Sequence, residues 1–383
     1  MKKPTVIVLD TLLGGVDICR ELRNAGYKVI IIGYKGNIAN PGLHIKGVKG
    51  YLLSSPQKDP NKFLAELLDI GSHYDGPKVL LPATESYCFW LAANQERLNK
   101  FYYLTPSLEL LNIINDKWYQ YRFFKKIGIN VPLTAKSDGQ GIKGWDSYPA
   151  IVKPRYTETT VAFKQAYSRK VFEAYNRKQL EKACRSALMG GFETIIQENV
   201  PGKDESQFLY GGAAKKGRAY TVCLTQKLKA YPSPNGSGMV VKTIEHSEIL
   251  RLGDTLLATM QYSGICDLEF KMHENTGAYY LIEFNPRYGV GQKVMELAGI
   301  PSSIMYVRLA LGEIPKKSEI ARPGYYWIYF DEWLKEKILP WRNRSLKMNR
   351  NVENTCKTFD HSDWRPELLH IFTILWFKFK RLF

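Results

Sequence analysis

Short apolar runs alternate with longer amphipathic segments in the first part of the chain. The runs are rich in Val, Ile and Leu, as the buried strands of a parallel sheet are, and the segment between the first two opens with Gly14 and Gly15 and has apolar residues at helical spacing. Strand, helix and strand in this order predict a βαβ unit and a doubly wound domain. The predicted strands are 4–10, 27–33 and 77–82, and a further helix ends near residue 97.

The remaining pattern predicts helices mixed with antiparallel strands. Residues 264–272 and 278–285 have the composition of strands, and the polar segment 273–277 between them ends in glycine, as a hairpin turn requires. A helix is predicted to begin near 115–117 and to run through 118–126, because Gly128 and then Pro132 stop it. Further strands are predicted at 148–154, from 194, and at 206–212, 218–225 and 227–231, with helices at 247–263 and 292–298.

Length and composition indicate a globular protein of more than one domain. A chain of 383 residues is long enough for two or three domains and for a sizeable core without disulfides. Hydrophobic residues at 45% and charged residues at 24% argue against disorder.

The cysteines and the amino terminus favour a cytoplasmic location. The six cysteines are scattered and form no C-x-x-C pair, so they indicate neither a zinc site nor a disulfide framework. The first apolar run is too short for the apolar region of a signal peptide. We find no segment that reaches the roughly 20 apolar residues needed to span a membrane.

The net charge of +17 favours polyanionic partners, which include nucleotides, acidic sugars, nucleic acid and anionic lipid surfaces. A nucleic-acid-binding protein would normally carry a recognisable motif. The sequence has neither an RNP-like strand nor a helix-turn-helix pattern, so no nucleic-acid partner is expected.

The hairpin at 264–285 carries the candidate chemistry. Side chains alternate along a strand, so Glu283 and Asn285 point the same way, and Glu269 on the partner strand can face them. Two carboxylates and an amide oxygen are ligands that Mg²⁺ accepts while water and nucleotide phosphate complete its shell. Arg287 then stands beside the metal as a positive group for a phosphoryl group. Taken alone, Asp267 and Glu269 could equally be solvated residues on a sheet edge.

The sequence Glu-x-Asn-Pro-Arg at 283–287, with a strand carboxylate upstream, closely resembles the metal-binding end of the ATP-grasp ligases. The resemblance covers roughly residues 1–312 and is most specific at this hairpin. It implies metal ligation by Glu269, Glu283 and Asn285 and a catalytic role for Arg287.

The resemblance extends to a lysine-bearing helix, a lysine-bearing strand and a hinge. Lys117 opens a helix of the kind that begins the ATP-grasp domain. Lys153 lies in an apolar strand, where its charge is costly unless an anion meets it, although a lysine at a strand end can also snorkel to water. By position, Gln197, Glu198 and Val200 lie at the hinge around the adenine, and Asp204 or Glu205 would meet the ribose. Lys271 is a further candidate nucleotide ligand, and Lys153 is also a candidate catalytic residue.

One departure from the family pattern affects the phosphate-binding loop. Many ATP-grasp proteins have a glycine-rich loop after the strand that corresponds to the Lys153 strand of this chain. Here the segment at that place, 155–160, contains no glycine and runs from Arg155 to Thr160. Arginine and threonine hydroxyls can bind phosphate in place of backbone amides. Which loop covers the phosphates stays open.

The resemblance implies a combined α/β and α+β fold. A doubly wound, Rossmann-like parallel-sheet domain is expected at 1–112, followed by an ATP-grasp domain at 113–318 whose two α+β subdomains grip ATP. The subdomain boundaries are predicted at 113–196 and 197–318. A small extension rich in aromatic and basic residues follows at 319–383.

The implied activity is that of a carboxylate-amine ligase. Such an enzyme transfers the γ-phosphate of ATP to a carboxylate, and an amine attacks the acyl phosphate to form an amide or peptide bond. The expected cofactors are ATP and Mg²⁺, with Mn²⁺ as an alternative metal. The basic charge favours acidic substrates, such as an acidic amino acid, a cell-wall precursor or a uronic acid sugar.

Other functions compete with this one. The same fold can act as a kinase that releases a phosphorylated small molecule. A dehydrogenase is disfavoured because Gly14 and Gly15 lack the G-x-G-x-x-G spacing of dinucleotide-binding proteins. A non-catalytic ATP-binding or membrane-surface protein is the third alternative.

The end of the chain has two interpretations. Basic and aromatic residues alternate near the carboxy terminus, which is typical of peripheral contact with a membrane surface. We favour a terminal helix docked on the core, because the run before Lys378 is uniformly apolar rather than amphipathic.

Overall fold

A computed structural model describes residues 3–36, 40–231, 236–289, 291–329, 355–357 and 362–380. Three sheets organise the chain. The first comes from the amino-terminal part, and the other two face each other across a cleft.

The first sheet is parallel and has the strand order β3-β2-β1-β4. Every residue of β1 is buried, which explains why its sequence is continuously apolar. The predicted parallel-sheet domain is therefore present. Its elements are β1 (Thr5–Leu9), α1 (Leu13–Asn24), β2 (Lys28–Tyr34), β3 (Lys49–Leu53), α2 (Pro60–Ser72), β4 (Lys78–Pro82) and α3 (Glu85–Ala93). The sequence analysis did not predict β3 or α2.

The second sheet is antiparallel and has the order β5-β8-β6-β7, with helices packed beside it. Helix α5 begins where Asp116 caps it by accepting a hydrogen bond from the amide of Trp118 at 3.0 Å. The elements are α4 (Leu108–Asn115), α5 (Lys117–Lys126), β5 (Thr134–Lys136), α6 (Gly139–Lys143), β6 (Ala150–Pro154), α7 (Thr160–Tyr167), β7 (Phe172–Ala174), α8 (Arg177–Met189) and β8 (Thr194–Glu198).

The third sheet has eight strands in the order β13-β12-β9-β10-β11-β15-β16, and β14 pairs with β10. Its elements are β9 (Gln207–Lys215), β10 (Arg218–Tyr231), β11 (Ser237–Thr243), α9 (Ser247–Thr259), β12 (Gly264–Met272), β13 (Tyr279–Asn285), α10 (Gln292–Leu297), α11 (Ser302–Ala310), β14 (Glu319–Ile320), β15 (Tyr326–Ile328) and β16 (Thr355–Lys357).

One strand prediction is wrong in detail. Segments 218–225 and 227–231 are a single strand, β10, whose pairing with β11 shifts register between Lys227 and Ala230. A β-bulge changes the direction of a strand without ending it, and the sequence does not distinguish this from a turn.

Helix α11 joins the first sheet to the third. Tyr306 on this helix is fully buried, and its hydroxyl accepts a hydrogen bond from the amide of Leu104 at 2.9 Å and lies 3.1 Å from the carbonyl of Leu80 on β4. One buried cluster contains side chains from both sheets. The first sheet therefore shares a core with the third.

The last described helix, α12 (Arg365–Lys380), packs on the first domain through buried charges. Arg20 of α1 contacts Glu367 with both terminal nitrogens, at 2.5 and 3.1 Å, and its Nε lies 3.5 Å from Asp363. The beginning of this helix is thus docked, as favoured in the sequence analysis. The side chains of 374–380, which include the predicted membrane-contacting residues, lie outside the described residues. Among the helices described, none has the length and apolar character to cross a membrane.

Candidate active site

The cleft between the second and third sheets has a volume of about 280 Å³ and is the centre of the candidate site. Strands β6 and β8 form one wall. The floor consists of alternate residues of three neighbouring strands, which face the same way because side chains alternate along a strand. These floor residues are Gln207, Leu209 and Gly211 on β9, Cys223, Thr225 and Lys227 on β10, and Asp267, Glu269 and Lys271 on β12.

The hairpin β12–β13 brings the predicted metal ligands together. In the antiparallel register Glu269 lies opposite Glu283, and Asp267 lies opposite Asn285. Directly opposed residues share one face of a sheet; Asp267, Glu269 and Glu283 line the cleft, and Asn285 is buried on the same face. The predicted grouping of Glu269, Glu283 and Asn285 is therefore present, and Asp267 joins it.

A β-bulge next to Glu283 sets this arrangement. Glu283 pairs with Glu269, but Leu281 pairs with Phe270, so Ile282 is an extra residue without a direct partner on β12. Leu281 and Phe270 are consequently buried in the core behind the sheet, while Glu283, only two residues further on, faces the cleft. Bulges often occur beside functional sites because they redirect a side chain.

Two lysines neutralise the opposed carboxylates. Lys117 Nζ lies 4.0 Å from Glu283 Oε1, and Lys227 Nζ lies 3.5 Å from Glu269 Oε2. Burial alone would raise the pKa of Glu283, but Lys117, Lys170, Lys153 and Arg287 outweigh it, so the pKa is lowered. Glu283 is therefore held as a carboxylate.

Lys153 lies in the cleft wall, on β6, as the sequence predicts. It is 8% exposed, and its Nζ donates a hydrogen bond to the hydroxyl of Tyr121 at 2.8 Å. Burial lowers the pKa of Lys153 to about 8, although Glu283 and Glu269 act in the opposite direction. Burial likewise lowers the pKa of Lys117. Both lysines line the cleft, so a phosphate bound there would meet two buried ammonium groups.

Arg287 follows β13 and is oriented by its neighbours. Its Nη2 donates to Asn285 Oδ1 at 3.2 Å, its Nη1 donates to the carbonyl of Tyr288 at 3.0 Å, and Asp267 Oδ2 is 4.0 Å away. Burial raises the pKa of Asp267 to about 7, with Glu269 acting in the same direction and Arg287 against it. The guanidinium is thus fixed at the edge of the carboxylate group.

The predicted hinge lines the cleft at Gln197, Glu198 and Val200. The backbone amide of Glu198 donates to the carbonyl of Leu133 at 2.9 Å, and Gln197 Nε2 donates to Thr134 Oγ1 at 3.0 Å. These contacts fix the end of β8 at the edge of the cleft.

The two candidate ribose carboxylates do not line the cleft. Asp204 is buried and accepts a hydrogen bond from the amide of Ala230 at 2.9 Å, whereas Glu205 is exposed. From the same stretch, Gln207 reaches the cleft and accepts a hydrogen bond from Lys227 at 2.5 Å. Lys271 lines the cleft, as predicted, and burial lowers its pKa.

The segment after Lys153 does not form a phosphate loop around Arg155. The Arg155 guanidinium contacts Asp116 at 2.7 Å and Glu193 at 3.0 Å, so it stabilises the start of α5. Thr160 and Lys170 do line the cleft. Lys170 Nζ donates to Ser237 Oγ at 2.7 Å and thereby joins the turn before β7 to the start of β11 across the cleft.

The donor set fits a metal that arrives with a nucleotide. No group of three or more His, Cys, Asp or Glu side chains with metal-binding geometry occurs among residues that the structure describes. Two opposed carboxylates and a buried amide remain, which suits Mg²⁺ because it keeps several water and phosphate ligands. Over the same described part of the chain, the amide nitrogen of Asn285 has no hydrogen-bond partner.

The sequence analysis missed several residues of the site. Lys227 is only 3% exposed, and Asp267 is buried rather than at a solvated edge, because β12 lies inside the sheet. Tyr121 lies one helical turn after Lys117, so helical spacing could have indicated it. Lys170 carries no local signal.

The first domain also approaches the site. Cys88 Sγ of α3 donates to the carbonyl of Pro286 at 2.9 Å, which places the first turn of α3 beside Arg287. Glu85 begins that turn, and burial raises its pKa to about 7 while Arg287 and Lys117 lower it. Its Oε1 has no partner within the described ranges.

Comparisons with known proteins agree with this geometry. A sequence model of the family described as "Carbamoyl-phosphate synthase L chain, ATP binding domain" matches residues 239–317, which include the hairpin and Arg287. An L-amino acid ligase from Bacillus licheniformis has a similar structure, with a TM-score of 0.63 and 17% identity over 85% of this chain and 79% of that one. These comparisons support the resemblance to the ATP-grasp ligases. The predicted fold class is confirmed.

Relatives by sequence include enzymes of different lengths. The carbamoyl phosphate synthase large chain of Methanothermobacter thermautotrophicus is 23% identical over 54% of this chain, which spans 20% of that protein. The D-aspartate ligase of Enterococcus faecium is 20% identical over 72% of this chain and 70% of that one. These relatives support the predicted carboxylate-amine ligase branch of the ATP-grasp superfamily.

Proposed function

We propose that this ATP-grasp protein is an ATP-dependent carboxylate-amine ligase that forms an amide or peptide bond through an acyl phosphate. One observation carries the proposal: Glu269, Glu283 and Asn285 share one face of a hairpin, opposite the buried Lys153, with Arg287 beside them. The names of the D-aspartate ligase and the L-amino acid ligase support the same reaction class.

The residues of the cleft suit phosphoryl transfer, which needs positioning and charge neutralisation rather than a protein nucleophile. Lys153 and Lys117 would bind the nucleotide phosphates, and the hinge at Glu198 and Val200 would hold the adenine. Mg²⁺ or Mn²⁺, held by Glu269, Glu283 and Asn285, would polarise the phosphoryl oxygens.

Arg287 is positioned for the later stage of the reaction. A carboxylate oxygen attacks the γ-phosphorus, the bond to ADP breaks, and the acyl phosphate forms. The amine nitrogen then attacks the acyl carbon, phosphate leaves, and the amine loses a proton. Since Arg287 is held by Asn285 and Tyr288, it can bind the transferred phosphoryl group in both steps.

The proposed reaction defines the chemical class of the substrates. We infer small-molecule carboxylate and amine substrates, and the net charge of +17 favours acidic ones such as an acidic amino acid, a cell-wall precursor or a uronic acid sugar. The cytoplasmic location, the membrane contact of the carboxy terminus and the domain boundaries at 112, 196 and 318 stay predictions.

The direct test is a screen of amino acids and acidic sugars, singly and in pairs, for stimulated formation of ADP. Mass spectrometry of the product separates the alternatives. A ligase gives an amide and free phosphate, whereas a kinase gives a phosphorylated product without an amide. Absence of nucleotide binding would contradict both.

The Glu283→Gln variant tests the site itself. It removes the metal-binding charge with almost no change in size, so we expect stimulated ADP formation to fall by at least about a hundredfold while the fold is kept. Glu274→Gln is the matched control, because Glu274 is exposed in the turn of the same hairpin. Equal turnover in both variants would refute the assignment.

A further inference from the structure

One buried hydroxyl connects the two walls of the cleft. The side chain of Tyr121 on α5 is buried, and its hydroxyl donates a hydrogen bond to the backbone carbonyl of Ile282 on β13. The same hydroxyl accepts a hydrogen bond from Lys153 Nζ on β6 at 2.8 Å. A hydroxyl can donate one hydrogen bond and accept others, so the Tyr121 hydroxyl makes both contacts at once.

The contact with Ile282 falls at the bulge. Ile282 is the extra residue that turns Glu283 toward Glu269 while Leu281 stays in the core. A bulged residue loses regular ladder partners, and a buried carbonyl without a donor is costly. The Tyr121 hydroxyl supplies that donor and so stabilises the backbone conformation that aims Glu283.

The contact with Lys153 fixes the other charged group. Lys153 Nζ also lies 5.0 Å from the centre of the Tyr121 ring, within reach of a cation–π interaction. The ammonium is therefore held by the hydroxyl and the ring of one side chain. That side chain lies on α5 and is only 2% exposed, so its burial restricts other rotamers.

We propose that Tyr121 is a positioning residue that sets the distance between the metal-binding carboxylate Glu283 and the phosphate-binding Lys153, so that both meet the same nucleotide. This inference rests on the proposed function only in assuming that ATP and Mg²⁺ bind in the cleft. As a positioning residue, Tyr121 acts through the backbone of Ile282 and the ammonium of Lys153, and not by direct contact with the Glu283 carboxylate or the substrate.

The Tyr121→Phe variant tests the proposal, because it removes the hydroxyl and keeps the ring, the packing and the cation–π contact. The probe is the non-hydrolysable ATP analogue with a β,γ-imido bridge, titrated calorimetrically with and without Mg²⁺. We expect the factor by which Mg²⁺ tightens binding to fall by about tenfold or more, as for other groups that orient metal ligands. Metal-free binding should change by less than about threefold, because the charge of Lys153 remains.

Two further variants make the result specific. Tyr119→Phe is the matched control on the same helix, since Tyr119 is exposed, and it should leave the Mg²⁺ effect unchanged. In a Glu283→Gln background, Tyr121→Phe should add little, because side chains that act through one group are not additive.

The outcomes separate the two proposals. If the wild-type protein binds the analogue and Tyr121→Phe keeps the wild-type Mg²⁺ effect, the positioning role is wrong and the proposed function stands. A fall in thermal stability with an unchanged Mg²⁺ effect would show that the hydroxyl is only structural, and would also overturn the inference. If the wild-type protein binds no nucleotide, the proposed function fails first.

Discussion

Buried lysines give the cleft a charge that depends on pH. Burial lowers the pKa of Lys117, Lys153 and Lys271, and for Lys153 the value is about 8. A lysine carries its charge below its pKa and loses it above. The attraction of the cleft for phosphate therefore weakens within a pH range in which an exposed lysine would stay charged.

This property predicts how nucleotide binding changes with pH. Bound phosphate raises the pKa of Lys153. Above the pKa of the free protein, Lys153 is neutral and has to bind a proton when the nucleotide binds. For a pKa of about 8 in the free protein, the Kd of the imido analogue of ATP should rise roughly tenfold between pH 7 and pH 9. Calorimetric titration across this range measures it.

Lys153→Arg provides the control, because a guanidinium stays charged throughout the range. The pH dependence should become clearly shallower in this variant, although Lys117 still contributes. An equally steep profile would show that another group is responsible.

Single residues differed in how readily the sequence indicated them. Lys153 could be predicted because its neighbours in the strand are apolar, and Glu283 because Asn285, Pro286 and Arg287 follow it. Lys227 could not, because its burial depends on Gln207, Glu269 and Gly236, which come from other parts of the chain. Local sequence carries no record of such tertiary contacts.

At the scale of elements, the hairpin β12–β13 matched its predicted limits closely, whereas its bulge was not foreseen. A composition rich in apolar and aromatic residues indicates a strand but does not fix its register. The same reason explains why β10 was divided in two. The family resemblance implied Asp204 or Glu205 as the ribose carboxylate and spacing did not decide between them; the structure brings Gln207 to the cleft instead.

Helix α12 is held by buried charges, and this contact gives a stability prediction. Arg20, Asp363 and Glu367 are all less than 6% exposed. Glu367→Gln removes the negative charge from a buried bidentate ion pair with Arg20 and should lower the free energy of unfolding by roughly 3 kcal/mol. Urea unfolding followed by tryptophan fluorescence and circular dichroism measures the change.

The comparison is with an exposed pair of the same type. Arg308 and Glu313 lie 3.2 Å apart, but both are more than 40% exposed, so Glu313→Gln should have no measurable effect. Equal stability of the two variants would mean that α12 does not dock on α1 in solution.

At the scale of the whole molecule, the cleft lies between two sheets, and polar side chains join them across it. Lys170 and Ser237 form one such contact, with 2.7 Å between Nζ and Oγ, and Lys170 also lowers the pKa of Glu283. Thr160, Lys170 and Ser237 all line the cleft, and the segment after Lys153 lacks the glycine-rich pattern of many ATP-grasp proteins.

Lys170→Met should therefore weaken retention of nucleotide. The variant loses a charged hydrogen bond and a positive charge near the phosphates, so the dissociation rate of a fluorescent ATP analogue should rise about tenfold. Stopped-flow displacement by unlabelled ATP measures this rate. Lys178→Met removes the same charge from an exposed site on α8 and should leave the rate unchanged. A similar rate in both variants would remove Lys170 from the site.

The extra residue at position 282 has a consequence for protein engineering. A designer who grafts this hairpin onto another scaffold has to copy Ile282 together with the acidic side chains. Without it, residues 281 and 283 would face the same side of the strand. Either Leu281 would then be exposed in the cleft, or Glu283 would be buried in the hydrophobic core. One inserted residue thus allows a hydrophobic core side chain and a metal-binding carboxylate to lie two positions apart on opposite faces of the same hairpin.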